Sequence, residues 1–247
     1  MEFTDIIHKF YHPEISDDEE YYLIVLNTSF NSTLFKFFWS ICKKHILADG
    51  GSNRLFDSSM RETYIPDAVV GDFDSARPDV LEYYKNIGVD VFHDPNQDNT
   101  DTDKCFEYIY SHEGTNSSNI SAVVLGDLGG RMDHAFNVIN SVYSHQSLFN
   151  SIILQGEQTY LEVLLGGNYK IHINKNIEGH FCGIVPFSEP IQHLTTKGLK
   201  WDLTDFNMHY GGLISTSNEV IEEIVEIQTP SPFLWIVAVN TDALKQL

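Results

Sequence analysis

The chain has 247 residues and a formal net charge of −20 at pH 7, with 15 Lys and Arg against 35 Asp and Glu. This acidity argues against nucleic acid or an anionic membrane as a partner, because both select clustered basic residues. No apolar stretch is long enough to span a bilayer, and the polar N-terminus lacks the apolar core of a secretory signal. Three cysteines at unrelated spacings favour neither a disulfide framework nor a zinc site, so a cytoplasmic location is expected.

Short apolar runs alternate with helix-like stretches up to about residue 155. The predicted strands here are 22–26, 46–48, 68–70, 89–92, 122–125 and 152–154, and the predicted helices are 32–44, 78–87, 101–111 and 131–143. Buried strands that alternate with helices predict an α/β domain with a doubly wound, mainly parallel sheet. This domain is assigned residues 1–155, with 1–21 as an extension. His8 and His12, next to Pro13, are assigned to a frayed terminus rather than to a metal site.

After about Gly156 the pattern changes to strand-like runs separated by Gly, Pro and Asn turns. The predicted strands are 160–165, 169–173, 181–185, 212–216, 220–227 and 234–239. Several of these runs alternate apolar with polar residues, and no long helical pattern occurs among them. Residues 156–247 therefore predict a second, all-β domain of the sandwich type.

Polar residues follow three predicted strands of the first domain. One strand runs into Asp49-Gly50-Gly51, the next into Asp72 and Asp74, and a third into the stretch 126–133. Ligands of open parallel sheets bind beyond the carboxyl ends of the strands. Carboxylate side chains, glycines and basic side chains are therefore expected along one edge of the sheet.

Asp72 and Asp74 stand two residues apart at a strand end. On an extended segment both side chains point to one side. Two hard oxygen ligands held in this way suit Mg²⁺, which shares its other positions with water and substrate phosphates. The alternative is a solvated acidic turn.

The stretch from Gln97 to Lys104 opens the helix predicted over 101–111. Thr100 is an N-cap candidate, with Asp103 placed as in a capping box. Asp101 and Lys104, three residues apart, share a face of that helix. The alternative is that the acids of this stretch only complement the helix dipole.

Gly129 and Gly130 precede the helix predicted over 131–143. They allow the backbone to approach a ligand closely, and the helix N-terminus offers free N–H groups to phosphate. Arg131 adds a fork of donors that matches phosphate oxygens, and Asp133 lies on the same helix. The alternative is a sharp turn followed by an ordinary exposed arginine.

Six segments together resemble the thiamine pyrophosphokinase (thiamine diphosphokinase) family. They are LADGGSNRLFD (47–57), PDAVVGDFDSARPDVLEYY (66–84), QDNTDTDKC (97–105), LGDLGGRMDHAFNVI (125–139), TTKGLKWDL (195–203) and STSNE (215–219). They occur in order through both predicted domains, which makes the resemblance specific. It implies an α/β nucleotide domain followed by a β-sandwich, and a homodimer with active sites between subunits.

The resemblance also implies roles for individual residues. Asp72, Asp74 and Asp101 are implied as the Mg²⁺ and phosphate-handling carboxylates, and Arg131 and Asp133 as further catalytic residues. Ligand-binding roles are implied for Asp49, Gly50, Gly51, Asn53, Gln97, Thr100, Lys104, Gly129 and Gly130. In the second domain, Trp201, Ser215, Ser217 and Asn218 are implied as thiamine-binding elements. Composition alone favours the alternative that Trp201 is a core aromatic.

The implied reaction is transfer of a diphosphate group from ATP to the hydroxyl of thiamine, with release of AMP. Arg131 and Lys104 are expected to stabilise charge on the bridging oxygen, and Asp133 or Asp101 to accept the hydroxyl proton. Two other functions stay open at this level. One is a phosphohydrolase with an aspartyl nucleophile, and the other is a non-catalytic sensor of the nucleotide or of thiamine.

Overall fold

The structure is a computed structural model that describes residues 2–12, 14–15, 19–29, 31–126, 128 and 131–246. The chain divides into two compact units. One is Glu19–Glu157, and the other combines Met1–Asp18 with Gln158–Leu247. The second unit thus draws on both ends of the chain, whereas the sequence pattern attaches residues 1–21 to the first domain. No helix in the described part of the chain is long and apolar enough to cross a membrane.

Strands and helices follow one another along the chain. The strands are β1 Thr4–Ile6, β2 Glu20–Val25, β3 Lys44–Ala48, β4 Ala68–Gly71, β5 Asp90–His93, β6 Ile120–Leu125, β7 Ser151–Gln155, β8 Thr159–Leu164, β9 Gly167–His172, β10 Glu178–Pro186, β11 Ile191–Lys197, β12 Phe206–Met208, β13 Ser215–Glu219, β14 Ile224–Thr229 and β15 Phe233–Val239. The α-helices are α1 Ser32–Ile41, α2 Gly51–Phe56, α3 Pro78–Asn86, α4 Asp101–Glu113 and α5 Met132–His145.

The unit Glu19–Glu157 contains a parallel sheet in the order β7-β6-β2-β3-β4-β5. Its central strands are apolar on both faces, and every residue of β6 is buried. This continuous burial follows from helices that cover both faces of a parallel sheet. The predicted α/β class is confirmed. In register, Ala48 of β3 lies beside Val70 of β4, so the two strands end at the same edge.

Local sequence accounts for the helices that bear on this edge. Thr100 caps α4 in a full capping box with Asp103, as predicted. Pro78 begins α3, where its missing N–H has no intrahelical partner to lose. The short helix α2 was not predicted, since its six residues carry no capping side chain and too few turns for a periodic pattern.

The other unit is rich in β-structure, as predicted for the C-terminal domain. One sheet has the order β1-β9-β14-β11-β12, and four further strands follow the order β13-β10-β15-β8. Buried side chains of both sets form its core, among them Ile171, Val225, Trp235 and Val237. Strands β1, β11 and β12 were not predicted. The predicted strand 212–216 is wrong in position, because β13 covers 215–219 and Gly211, with φ of 89°, lies in the preceding turn.

The expectation of a frayed N-terminus is wrong. Tyr11 is fully buried, and β1 pairs in parallel with β9. His8 lies between two buried carboxylates, with Nε2 3.1 Å from Glu162 Oε2 and Nδ1 3.5 Å from Glu178 Oε1. Tyr160 donates a hydrogen bond of 2.8 Å to Glu178. The segment is thus fixed by apolar burial and by a buried ion-pair cluster.

We expect this cluster to make stability depend on pH on the alkaline side. Burial alone would lower the pKa of His8, but the carboxylates of Glu162 and Glu178 raise it to about 10. A histidine with a raised pKa contributes stability that is complete below its ordinary pKa of about 6.5 and is lost as the pH rises through the raised value. Urea midpoints should therefore fall between pH 6 and pH 9. In His8→Gln the decrease of the urea midpoint that is due to His8 should disappear. Equal dependence of the midpoint on pH in the two proteins would contradict the role of His8.

Candidate active site

The site is built at the carboxyl ends of β3 and β4. Asp49 follows β3 directly and Asp72 follows β4. The backbone N–H of Asp49 donates to the carbonyl of Val70 at 2.8 Å, which keeps the two strand ends side by side. Both acidic residues therefore emerge at the edge of the sheet where ligands of this architecture bind.

Three carboxylates gather at this edge. One oxygen each from Asp49, Asp72 and Asp74 lies within 4.8 Å of the others. Phe73 has a positive φ of 63°, which turns the chain between Asp72 and Asp74. The backbone N–H of Asp74 donates a hydrogen bond of 3.1 Å to Asp72 Oδ1. Such a group of hard oxygen atoms fits Mg²⁺.

Lys104 supports one of these carboxylates from inside the protein. Its side chain is only 1% exposed, and its Nζ lies 2.7 Å from Asp72 Oδ2. Gln97 Nε2 donates to the same oxygen at 3.0 Å. The hydrogen bond from Lys104 lowers the pKa of Asp72. Asp72 is therefore held both oriented and ionised, and two predicted site residues act on a third.

Asp101 stands at the start of α4, on the other side of the same lysine. Its Oδ1 lies 3.8 Å from Lys104 Nζ, and it is not a member of the group formed by Asp49, Asp72 and Asp74. Burial, followed by the negative charge of Asp49, raises the pKa of Asp101 to about 6. Thr100 uses its hydroxyl in the helix cap, with Oγ1 2.7 Å from Asp103 Oδ2.

A pocket of about 310 Å³ adjoins the acidic edge. Asp72, Asp74 and Asp101 all line it, so the three predicted metal ligands share one cavity. Its other walls combine apolar and polar side chains, including Leu26, Asn27, Thr28, Val124, Leu128, His134, Asn137, Val138 and Leu154. Apolar and polar side chains that line one cavity offer both packing and hydrogen-bonding surfaces, which suits a small organic ligand that carries polar groups.

Several pocket residues were not predicted. Asn27 and Thr28 follow Leu26 just beyond the end of β2, so they carry nearly the same strand-end signal as Asp49 and Asp72. His134, which directly follows the predicted Asp133 on α5, was overlooked. Their position after a buried strand would have identified Asn27 and Thr28. His134 could be identified only once the direction of α5 relative to the sheet was known.

Arg131 and Asp133 lie at the exposed start of α5. Arg131 Nε donates to Asp133 Oδ1 at 3.2 Å, and its Nη2 donates to the other carboxylate oxygen. Neither is among the described residues that line the pocket. Gly129 and Gly130 lie outside the described residues, so the predicted glycine turn is not part of this geometry.

Gly50 and Gly51 begin α2 at the end of β3. A Cβ on Gly51 would lie 2.5 Å from the carbonyl oxygen of Val25. The close approach that this glycine permits is therefore to the neighbouring strand. Asn53, on the same short helix, hydrogen-bonds to the backbone that follows Asp74.

In the other unit, three of the four predicted thiamine-binding residues form one cluster. Buried Asn218 accepts from Trp201 N at 3.2 Å and donates to Trp201 O and to Ser215 Oγ, both at 3.1 Å. Trp201 is 54% exposed, so its interpretation as a core aromatic is wrong. Ser217 is exposed in the same strand, with a positive φ of 57°. An exposed indole is suited to stacking on a cationic ring.

The parallel sheet, its carboxylate edge and the adjoining pocket define an α/β protein with an acidic ligand pocket at the carboxyl ends of its strands. The family profile "Thiamin pyrophosphokinase, catalytic domain" matches residues 35–154, and "Thiamin pyrophosphokinase, vitamin B1 binding domain" matches residues 168–234. The chain belongs to the thiamin pyrophosphokinase family. The activity of this family forms thiamine diphosphate from thiamine and ATP, and the chain is an enzyme of this kind.

Relatives match along most of the chain. Thiamine pyrophosphokinase 1 of Oryza sativa subsp. japonica is 38% identical over 246 residues, covering 93% of this chain and 92% of its own length. Thiamine pyrophosphokinase 1 of Arabidopsis thaliana is 36% identical and covers 94% and 91%. The crystal structure of yeast thiamin pyrophosphokinase has the same fold, with a TM-score of 0.84 at 22% identity, covering 99% of this chain and 93% of that one.

Proposed function

We propose that the chain transfers a diphosphate group directly from Mg²⁺-bound ATP to thiamine at the pocket beside β3 and β4. The observation that carries this proposal is the group of carboxylates at the mouth of that pocket. A chain with a formal charge of −20 repels a free polyphosphate, so a divalent cation between the two is required. A cytoplasmic location is part of the same proposal.

Asp72, Asp74 and Asp101 are the residues that would hold Mg²⁺. All three line the pocket, and Asp72 and Asp74 lie within the close carboxylate group. When bound, the ion neutralises the phosphate oxygens and aligns the polyphosphate for displacement. The hydrogen bonds from Lys104 and Gln97 would hold the Asp72 carboxylate in a fixed orientation at this site.

The chemical step is an in-line displacement at phosphorus. The hydroxyl oxygen of thiamine attacks the β-phosphorus of ATP, the bond from that phosphorus to the α,β-bridging oxygen breaks, and AMP leaves with that oxygen. Asp101 is better placed than Asp133 to accept the hydroxyl proton, because Asp101 lines the pocket and Asp133 is paired with Arg131 at the surface. Arg131 is assigned to stabilise the negative charge on the departing AMP, after its hydrogen bonds to Asp133 break.

Thiamine is assigned to the cluster of Trp201, Ser215, Ser217 and Asn218 in the β-rich unit. Asn218 fixes the backbone on both sides of the indole, so Trp201 presents its ring on a rigid support. The homodimer with sites between subunits belongs to the same proposal and rests on the resemblance to the family. Sedimentation equilibrium at micromolar concentration tests it directly, with the mass of one chain as the contradicting result.

Trp201→Ala should raise the KM for thiamine by about 10- to 30-fold, the equivalent of one desolvated cation–π contact. The KM for ATP should change little, because the pocket assigned to ATP lies in the other unit. Trp201→Phe keeps an aromatic face and should lose much less. Equal effects of Ala and Phe, or an equal rise in both KM values, would contradict the assignment of Trp201.

One product analysis separates the three functions that the sequence leaves open. The protein is incubated with ATP, Mg²⁺ and thiamine, and the phosphorylated products are identified. Thiamine diphosphate and AMP in equal amounts support direct transfer. Inorganic phosphate without thiamine diphosphate would favour the phosphohydrolase, and bound ligand without product would favour the sensor.

A further inference from the structure

Four hydrogen bonds join the segment after β3 to the loop after β4. Asp49 Oδ2 accepts from Ser75 N at 3.1 Å, and its Oδ1 accepts from Ala76 N at 3.2 Å. Asn53 Nδ2 donates to Ser75 O at 2.8 Å, and its Oδ1 accepts from Arg77 N at 3.0 Å. Two side chains thus hold the backbone over three consecutive residues.

Local structure commits Asp49 to this contact. The residue is fully buried and has a positive φ of 39°, which directs its carboxylate at the neighbouring loop. It also lies across Gly71, where a Cβ would be only 2.7 Å from Asp49 Cβ. Each carboxylate oxygen already accepts one backbone N–H, so Asp49 faces the loop rather than the open pocket.

We infer that Asp49 and Asn53 are positioning residues for the diphosphate transfer, because together they hold the loop that carries Asp72 and Asp74. The inference rests on the proposed role of those two aspartates as ligands of the divalent cation. Two ionised carboxylates so close together repel each other, and an unrestrained loop would let them separate. The four hydrogen bonds hold the pair in place before the cation arrives, as outer contacts of metal sites do.

Asn53→Ala is the cleaner test, since Asn53 is neutral and cannot be mistaken for a metal carboxylate. Mn²⁺ is the probe, titrated into the protein and followed by electron paramagnetic resonance of the free ion. We expect Mn²⁺ affinity to fall by about 10- to 100-fold, the usual effect of losing an outer contact of a metal site. The Mg²⁺ concentration for half-maximal activity should rise similarly.

Asp49→Asn is tested by amide hydrogen exchange in metal-free protein. The asparagine side chain places an NH₂ group, itself a donor, opposite one of the two backbone N–H groups. The backbone amide hydrogens of Ser75 and Ala76 should therefore exchange at least 10-fold faster than in wild type. Asp79→Asn makes the same charge change at the exposed start of α3 and should leave both amides protected. Circular dichroism melts establish that each variant is folded.

Two outcomes would overturn the inference. One is Mn²⁺ affinity in Asn53→Ala equal to wild type, and the other is unchanged protection of the two amides in Asp49→Asn, which would mean that Asp49 does not hold the loop. Asp72→Asn distinguishes this failure from that of the proposed function. If Asp72→Asn also bound Mn²⁺ normally, the metal assignment itself would be wrong, whatever Asn53 does.

Discussion

Asp72→Asn is expected to lower kcat by about 100-fold or more at saturating ATP, thiamine and Mg²⁺. The change removes one charge from the carboxylate group at the pocket, and electrostatic stabilisation of this kind is worth about 100- to 1,000-fold in rate. It also places an amide where Lys104 and Gln97 both donate to Asp72 Oδ2. AMP release, followed under steady-state conditions, measures the effect.

The loss should occur without loss of the fold. In the variant, buried Lys104 still has a carboxylate partner, because Asp101 Oδ1 lies 3.8 Å from its Nζ. The variant should therefore still unfold cooperatively. Asp79→Asn serves as the matched control and should keep kcat near wild type. Turnover of Asp72→Asn within a few-fold of wild type would remove Asp72 from the metal site.

His8→Ala is expected to destabilise the protein by about 3–5 kcal/mol, the cost of breaking a buried ion pair by removing one partner. Glu162 and Glu178 are both buried and would lose the cation between them. Removal of the imidazole also leaves a cavity beside Tyr160, whose ring centroid lies 4.8 Å from that of His8. Urea unfolding at pH 7 gives the free energy directly.

An exposed histidine pair provides the comparison. His193 Nδ1 lies 2.6 Å from Asp205 Oδ1, a shorter distance than either contact of His8, but both side chains are mostly exposed. His193→Ala should therefore change stability little, because water and salt screen a surface pair. If the two variants cost the same, burial would not be the source of the stability that His8 provides.

The acidic edge illustrates what local sequence can predict. Asp72 and Asp74 both line the pocket, as their position after a buried strand predicts, although the positive φ of Phe73 makes the segment between them turned rather than extended. Thr100 caps α4 because a capping box needs only residues three apart. In each case the signal lies within a few residues of the chain, which is why sequence alone reveals it.

The carboxylate group of Asp49, Asp72 and Asp74 shows where local reasoning stops. The sequence indicates Asp72, Asp74 and Asp101, and the structure gathers Asp49 with the first two instead. This choice depends on the register of β3 against β4 and on the positive φ of Asp49. Whether Asp101 completes the metal site stays a prediction.

By itself, the sequence determined the class of each domain and the strand ends that carry acids, and it predicts a cation beside so negative a chain. Periodicity and strand-end position are local properties and net charge is a sum over residues, so all three can be obtained from the sequence. The tertiary structure decided that Lys104 is buried against Asp72, that Asp49 and Asn53 hold the loop, and that the N-terminal segment packs on the C-terminal strands. These contacts join residues far apart in the chain, and only strand register and burial bring such residues together.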